Sequence, residues 1–502
     1  MLDVIRVLQL GTEDFNEIYN VPDYIEIEYS ENFISVPKDA YDLIFVDRVL
    51  SKAEIELLIK VTKAYTLYIL DDVKLNSHME FYVACNKGKM LPRTDVQSFL
   101  DKEARNYFAK PYGEKMRINH FAVSHGFKGT VQWDGYYCIN LNGEYGSEFK
   151  QIIYLRNNLP IAKGTALELW LEYDKDDSVE LEVEVTLFKS GEPANVLKKW
   201  MFSEKDCEEL LILDNDMHNG SLFISIRAKG HGNFKFIAMH DRISRRGHGC
   251  FLPGGKRKVF SNREELFYYF DPGDMKPPLN VYFSGYKTME GFEGYFMMKK
   301  MGCPFLLIGE PRLEGGAFYM GTEEYEAGVV DIVRMHMEEL GFDSQQVILS
   351  GLSMGTFGAM YYGCDILPHA IILGKPLASV GDVASNERLH RPGGFPTSLD
   401  VVNYLEGSID DAAVESVNNK FWDKFDRTEW TNSKFIVAYM IEDDYDNKAY
   451  NNLISHMTTD GVQIYGKGIH GRHNDASAGI VGWFKTQYDK VLKQDFSRRI
   501  DK

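Results

Sequence analysis

At 502 residues the chain is too long for one hydrophobic core, so about two to four domains are expected. Hydrophobic residues make up 44% and charged residues 26%, the balance of an ordinary globular protein. Lys and Arg number 56 against 74 Asp and Glu, and the resulting charge of −18 argues against nucleic acid or an anionic lipid surface as a partner.

No apolar run approaches the length needed to span a bilayer. The first ten residues lack a basic start and a small-residue cleavage site, so no signal peptide is predicted. Cys85, Cys138, Cys207, Cys250, Cys303 and Cys364 are scattered without metal-finger spacing, which fits free thiols in a reducing cytosol. No metal site and no tightly bound cofactor is expected.

In chain order, residues 1–112 read as a small α/β unit. Val4–Leu10, Leu43–Val46 and Leu67–Leu70 are apolar strand runs. Ser51 and Glu54 form an S-x-x-E capping box ahead of Ile55, Leu58 and Ile59, one face of a helix. No glycine fingerprint for a dinucleotide is present. Residues 113–250 switch to period-two alternation. Val179, Leu181, Val183, Val185 and Leu187 are interleaved with Glu180, Glu182, Glu184 and Thr186. Such strands have one wet face, and a β-sandwich is expected. Trp133, Tyr136 and Tyr137 are candidate sugar-stacking aromatics, with core packing the favoured role. Arg245–Gly255, rich in Arg and Gly, reads as a linker or a loop over the next domain.

Residues 251–502 return to an α/β rhythm. Gln346–Ser350 is a strand, Gly351-Leu-Ser-Met-Gly355 follows at once, and Thr356–Tyr362 is a helix. Strand, G-x-S-x-G, helix is the nucleophile elbow, in which Ser353 is the nucleophile and the glycines let strand and helix pack closely. The partners should follow in the order acid, then His. Phe435–Met440 is a strand ending at Glu442-Asp-Asp-Tyr-Asp446, and Val462–Tyr465 leads to a loop with His470 and His473. His473, just ahead of a final helix starting near Ala476, is the expected base, with His470 in reserve. Asp443 is the expected acid, with Glu442 and Asp446 as alternatives. A cation site in this acidic loop is disfavoured for want of further ligands. The oxyanion donors should be the N–H of Met354 and that of Gly285 or Tyr286, at the end of the Asn280–Phe283 strand. The whole is an α/β multidomain chain with a C-terminal α/β-hydrolase domain of SGNH/esterase-like type.

Four longer motifs carry a family resemblance: Gly291-Phe-Glu-Gly-Tyr-Phe-Met-Met298, Phe305-Leu-Leu-Ile-Gly-Glu-Pro-Arg312, Gly315-Gly-Ala-Phe-Tyr-Met-Gly321 and the segment Ser350–Gly363. They resemble the acetyltransferase-like accessory protein of the dedicated Sec export system of Gram-positive bacteria. The resemblance implies a cytosolic protein, peripheral to the membrane at most, that serves export of serine-rich-repeat adhesin glycoproteins. It implies other accessory Sec proteins and the accessory motor ATPase as partners. It also implies O-acetylation of N-acetylglucosamine on the adhesin, with Ser353 and His473 as catalytic residues and an acid within Glu442–Asp446. The acetyl donor stays open, acetyl-CoA being one candidate. A non-catalytic adaptor of the translocase and a plain carbohydrate esterase are the competing readings.

Overall fold

The computed structural model describes residues 4–34, 41–109, 112–457 and 461–498. Residues 1–3, part of the stretch read for a signal peptide, lie outside the described residues. Among the described residues the strands form three sheets. The first holds β1 (Ile5–Leu10), β2 (Ile25–Ser30), β3 (Leu43–Val46), β4 (Leu67–Leu70) and β5 (Lys89–Leu91) in the order β2-β1-β3-β4-β5, all parallel. The short central strands β3 and β4 are buried at every position, as expected of parallel strands covered on both faces. Ser51 and Glu54 make the reciprocal capping box at the start of helix Lys52–Leu58.

The middle region is antiparallel. Its strands are β6 (Gly113–Met116), β7 (Phe121–Val123), β8 (Lys128–Asp134), β9 (Cys138–Leu155), β10 (Leu159–Ile161), β11 (Thr165–Lys175), β12 (Val179–Lys189), β13 (Glu192–Ser203), β14 (Leu211–Asn215) and β15 (Gly220–Ile243). On β12 the predicted apolar set is buried. The ten strands belong to one hydrogen-bonded sheet around one core, where the alternation suggests two separate sheets. The 18-residue β9 and the 24-residue β15 cause this. Their pairing register slips around Gly230, where positive-φ glycines bend the long strands so that they serve successive partners.

Arg245 departs from the linker expectation. It is buried, its guanidinium donates to the carbonyls of Phe251 and Asn106, and it sits 4.0 Å over the Phe108 ring. A cation with its N–H groups satisfied by carbonyls can form a hub among three regions, which composition alone does not reveal.

The third sheet holds β16 (Lys256–Val259), β17 (Glu265–Asp271), β18 (Leu279–Phe283), β19 (Phe305–Gly309), β20 (Val347–Leu352), β21 (Ala370–Gly374), β22 (Lys434–Met440) and β23 (Gln463–Ile469). Their order is β16-β17-β19-β18-β20-β21-β22-β23. β17 runs antiparallel to both neighbours, and β18 through β23 are mutually parallel. This eight-stranded layout is hydrolase-like, and its antiparallel edge sets it apart from an all-parallel SGNH sheet. The chain between β21 and β22 forms a cap of three helices, Val380–Leu389, Thr397–Glu406 and Asp411–Asp426. The β8–β9 hairpin docks on the second of them: Tyr136 N–H donates to Asp400 and Asn403 donates to Asp134. Tyr137 packs against Tyr404 there, while Trp133 and Tyr136 stay about half exposed. Among the described residues no helix is long and apolar enough to cross a membrane.

Candidate active site

The site lies at the carboxyl ends of the parallel strands, where open α/β sheets leave a crevice. β20 ends at Leu352, and helix Met354–Tyr361 begins two residues later. Ser353 between them has φ 52° and ψ −122°, a backbone region that disfavours a side chain. The turn is held on both sides. Ser353 N–H donates to the Gly374 carbonyl of β21, and the Thr356 hydroxyl donates to the Ser353 carbonyl while accepting the N–H of Leu377. Both flanking glycines are required by contact. A Cβ on Gly351 would come within 2.2 Å of the Gly355 carbonyl, and one on Gly355 within 2.1 Å of the Phe283 carbonyl.

The structure brings Ser353, His473 and Asp443 together. Ser353 Oγ is 2.8 Å from His473 Nε2, and His473 Nδ1 is 2.9 Å from Asp443 Oδ2. Asp443 follows β22, and His473 lies in the loop between β23 and the last helix, Ser477–Gln494. His473 and Asp443 are buried, while Ser353 retains partial exposure. Asp443 Oδ1 also accepts the N–H groups of Tyr445 and Asp446. Burial pushes this carboxyl up, but the hydrogen bond and charge of His473, with the two N–H groups, outweigh it and hold the pKa below the ordinary value.

The two alternative acids, Glu442 and Asp446, point elsewhere. Glu442 is exposed and accepts from Gly471 N–H and from His470, whose side chain is 84% exposed. His470 therefore does not reach Ser353. Asp446 is buried and accepts the N–H groups of Ala378 and Ser379, tying this loop to the first cap helix. Its burial, more than those bonds can offset, pushes its pKa up to about 6.

Of the expected oxyanion donors, Gly285 N–H is already engaged, donating to Glu293 Oε2 at 2.7 Å. Among the described residues the N–H groups of Met354 and Tyr286 have no acceptor. Met354 N–H is one of the orphan donors at a helix start. A cavity of about 260 Å³ opens beside Gly285, walled by Lys115 of the middle sheet, by Arg117 just after β6, and by Lys287 and Glu314.

Sequence reasoning missed several contributors. Tyr445 stacks on the His473 imidazole at 4.3 Å, and Asp444 accepts His473 N–H at 2.9 Å. Both sit in the acidic loop already singled out. Glu293 lies inside the Gly291–Met298 motif. Arg391, which pairs with Asp444, comes from the cap and carries no sequence signal.

Among the described residues one cluster has metal-ligand chemistry: Glu172, His240 and Glu265, their ligand atoms within 4.8 Å of one another. Those atoms are taken. His240 Nε2 meets Glu172 at 3.0 Å, Nδ1 meets Glu290, and Arg242 pairs with Glu265 at 2.5 Å and Glu290 at 2.6 Å. The cationic side chains present already neutralise these carboxylates, so the cluster is an ion-pair seam between the middle sheet and the third sheet.

A family model described as the accessory Sec system GspB-transporter matches residues 5–498. An accessory Sec system protein of Streptococcus gordonii is 37% identical over 510 residues, covering 99% of this chain and 100% of that protein. Its namesake from Staphylococcus aureus (strain NCTC 8325 / PS 47) is 37% identical over 512 residues, covering 98% of this chain and 97% of the relative. Among solved structures, a chain of the Glycosylation Associate Protein (Gap123) complex from Streptococcus agalactiae superposes with a TM-score of 0.88 at 34% identity, covering 99% of this chain and 100% of that one.

Proposed function

This chain belongs to the accessory Sec system GspB-transporter family, and from that premise we propose that it is a serine-dependent O-acetyltransferase acting on a glycoprotein in accessory secretion. The observation that carries the reading is the continuous line from Ser353 Oγ through His473 to Asp443. His473 Nε2 takes the Ser353 proton as Oγ bonds to the acetyl carbonyl carbon. The oxyanion lies against the N–H groups of Met354 and Tyr286. The bond to the donor's leaving group breaks, that group takes the proton from His473, and acetyl-Ser353 remains. A sugar hydroxyl then gives its proton to His473 as its oxygen bonds to the acetyl carbon; the bond to Oγ breaks, and Ser353 takes that proton from His473. Asp443 keeps Nδ1 protonated, so that Nε2 is the basic nitrogen of the neutral ring, and stabilises the imidazolium that forms.

The proposed acceptor is N-acetylglucosamine on a serine-rich-repeat adhesin, and acetyl-CoA is the first donor to test. The chain acts on the cytoplasmic side, with other accessory Sec proteins and the accessory motor ATPase as proposed partners. The Streptococcus agalactiae structure is of the Gap123 complex, which supports an assembly with other accessory proteins. The test is mass spectrometry of adhesin glycans from wild-type and Ser353→Ala strains, with export measured in parallel. Loss of O-acetyl groups supports the enzyme, and unchanged acetylation refutes it. Export that persists without acetylation assigns the secretion role to other surfaces of the chain. Acetate release without transfer to a sugar identifies an esterase instead.

A further inference from the structure

We propose that Arg391, a cap residue, is a positioning residue for the catalytic base, setting both the orientation and the protonation range of His473. The inference rests on the Ser353–His473–Asp443 reading and adds a group that lies outside it. Arg391 follows the first cap helix and is anchored by its own N–H to the Asn386 carbonyl. Asn386 in turn donates its side-chain amide to the Tyr445 carbonyl. Two arms run from the Arg391 guanidinium to His473. In the first, its central carbon lies 4.1 Å from the centroid of the Tyr445 ring, and that ring stacks on the imidazole at 4.3 Å and 27°. The Tyr445 ring is thus the contact that cation and imidazole share. In the second, Arg391 Nε pairs with Asp444 Oδ2 at 2.6 Å, and Asp444 Oδ1 accepts His473 N–H at 2.9 Å. Ring plane and backbone of the base are therefore held by the same guanidinium. Its Nη1 is buried without a hydrogen-bond partner, which fits a cation held by stacking and one ion pair.

The charges give this arrangement a signature. His473 is faced by Asp443, Asp444 and Tyr445 from the loop after β22. Lys375 lies nearby in the loop after β21, Arg472 and Asp475 lie in its own loop, and Arg391 comes from the cap. Asp444 alone would favour the imidazolium, and Arg391 cancels that charge. Taking the cation away leaves an anion hydrogen-bonded to the backbone of the base, so His473 should protonate at higher pH. Taking away the anion and keeping the cation should do the reverse.

The test is the pH profile of kcat/KM for 4-nitrophenyl acetate with the full chain. Arg391→Met should lower kcat/KM about tenfold and move the acid limb up by about half a pH unit. Arg391→Lys, which keeps the charge, should leave the limb in place. Asp444→Asn should move it down, and it gives the readout if Arg391→Met does not fold. Arg391→Met with Asp444→Asn should bring the limb back to the wild-type position. A limb that stays put in both single variants overturns the proposal, because packing alone leaves ionisation untouched. A Ser353→Ala control that retains hydrolysis overturns the triad reading instead, so the two failures are distinct.

Discussion

His240 and His473 are both buried with a carboxylate on Nδ1, and only one of the two is placed to do chemistry. His240, at the seam between the middle and third sheets, has Glu172 on Nε2 and Glu290 on Nδ1. His473 has Asp443 on Nδ1 and the Ser353 hydroxyl on Nε2. An imidazole with a carboxylate on each nitrogen is held as a cation. Burial lowers its pKa, but Glu290 and Glu172 overcome that and hold it at about 9. An imidazole with one carboxylate and one hydroxyl can be neutral, with its free lone pair aimed at a proton it can take. The difference lies in the second nitrogen, since burial and the presence of an acid are common to both.

The largest effect that sharpens this contrast is expected at His473. His473→Gln should reduce acetyl-ester hydrolysis about 10⁴-fold while leaving the thermal midpoint within a few degrees of wild type. A modest loss of rate would break the comparison by showing that the base lies elsewhere. Asp443→Asn should follow with a loss of about 10³-fold, since an amide that donates to Nδ1 favours the wrong tautomer. The check is the same assay, with the acyl-enzyme burst measured beside it to show that Ser353 acylation is the step affected.

At the seam the expected result is the reverse, a stability effect without a rate effect. His240→Gln should keep kcat/KM within about twofold of wild type and cost about 3 kcal/mol, because it takes from buried Glu172 and Glu290 the cation they share and leaves each with one, Lys115 and Arg242. The pH dependence has a fixed sign. His240 has its pKa raised on folding from 6.5 to about 9, so its contribution is complete below pH 6.5 and fades as pH rises through about 9. Thermal melts of wild type and variant should therefore differ most near pH 6 and converge towards pH 10. A gap that widens with pH would mean that His240 is neutral in the folded protein.

The contrast also shows what the sequence could and could not disclose. The elbow is legible because its requirements are local: Gly351 and Gly355 are dictated by backbone contacts within a few residues or on the adjoining strand. Strand, acid, strand and histidine are legible as an order along the chain, and the structure brings Ser353, Asp443 and His473 into contact from that order. Which nitrogen meets which partner is a tertiary matter. Glu442, Asp443 and Asp446 look alike in sequence, but one is exposed, one faces the imidazole and one ties down the cap. Gly285 and Tyr286 are equivalent donors in sequence, and only the fold shows Glu293 occupying the glycine N–H. The merging of the middle strands into one sheet depends on bulges in β9 and β15, which alternation does not encode.

The smallest expected effect separates His473 from its neighbour in the same loop. His470 lies three residues earlier, also with a carboxylate on Nδ1, yet its side chain is 84% exposed and its ring does not reach Ser353. His470→Gln should leave kcat/KM within about twofold of wild type, since an exposed pair in water holds little. Glu442→Gln should cost more than His470→Gln, although Glu442 is no nearer the chemistry. Its carboxylate accepts Gly471 N–H, and that bond, ahead of the one from His470, is what holds its pKa down. Gly471 has φ 124° and lies two residues before His473, so its anchoring sets where the base loop leaves β23. A ranking of His473, then Glu442, then His470 in the ester assay follows from this geometry. A His470 variant as damaged as the His473 variant would transfer the role of base to the exposed ring and undo the distinction between the two.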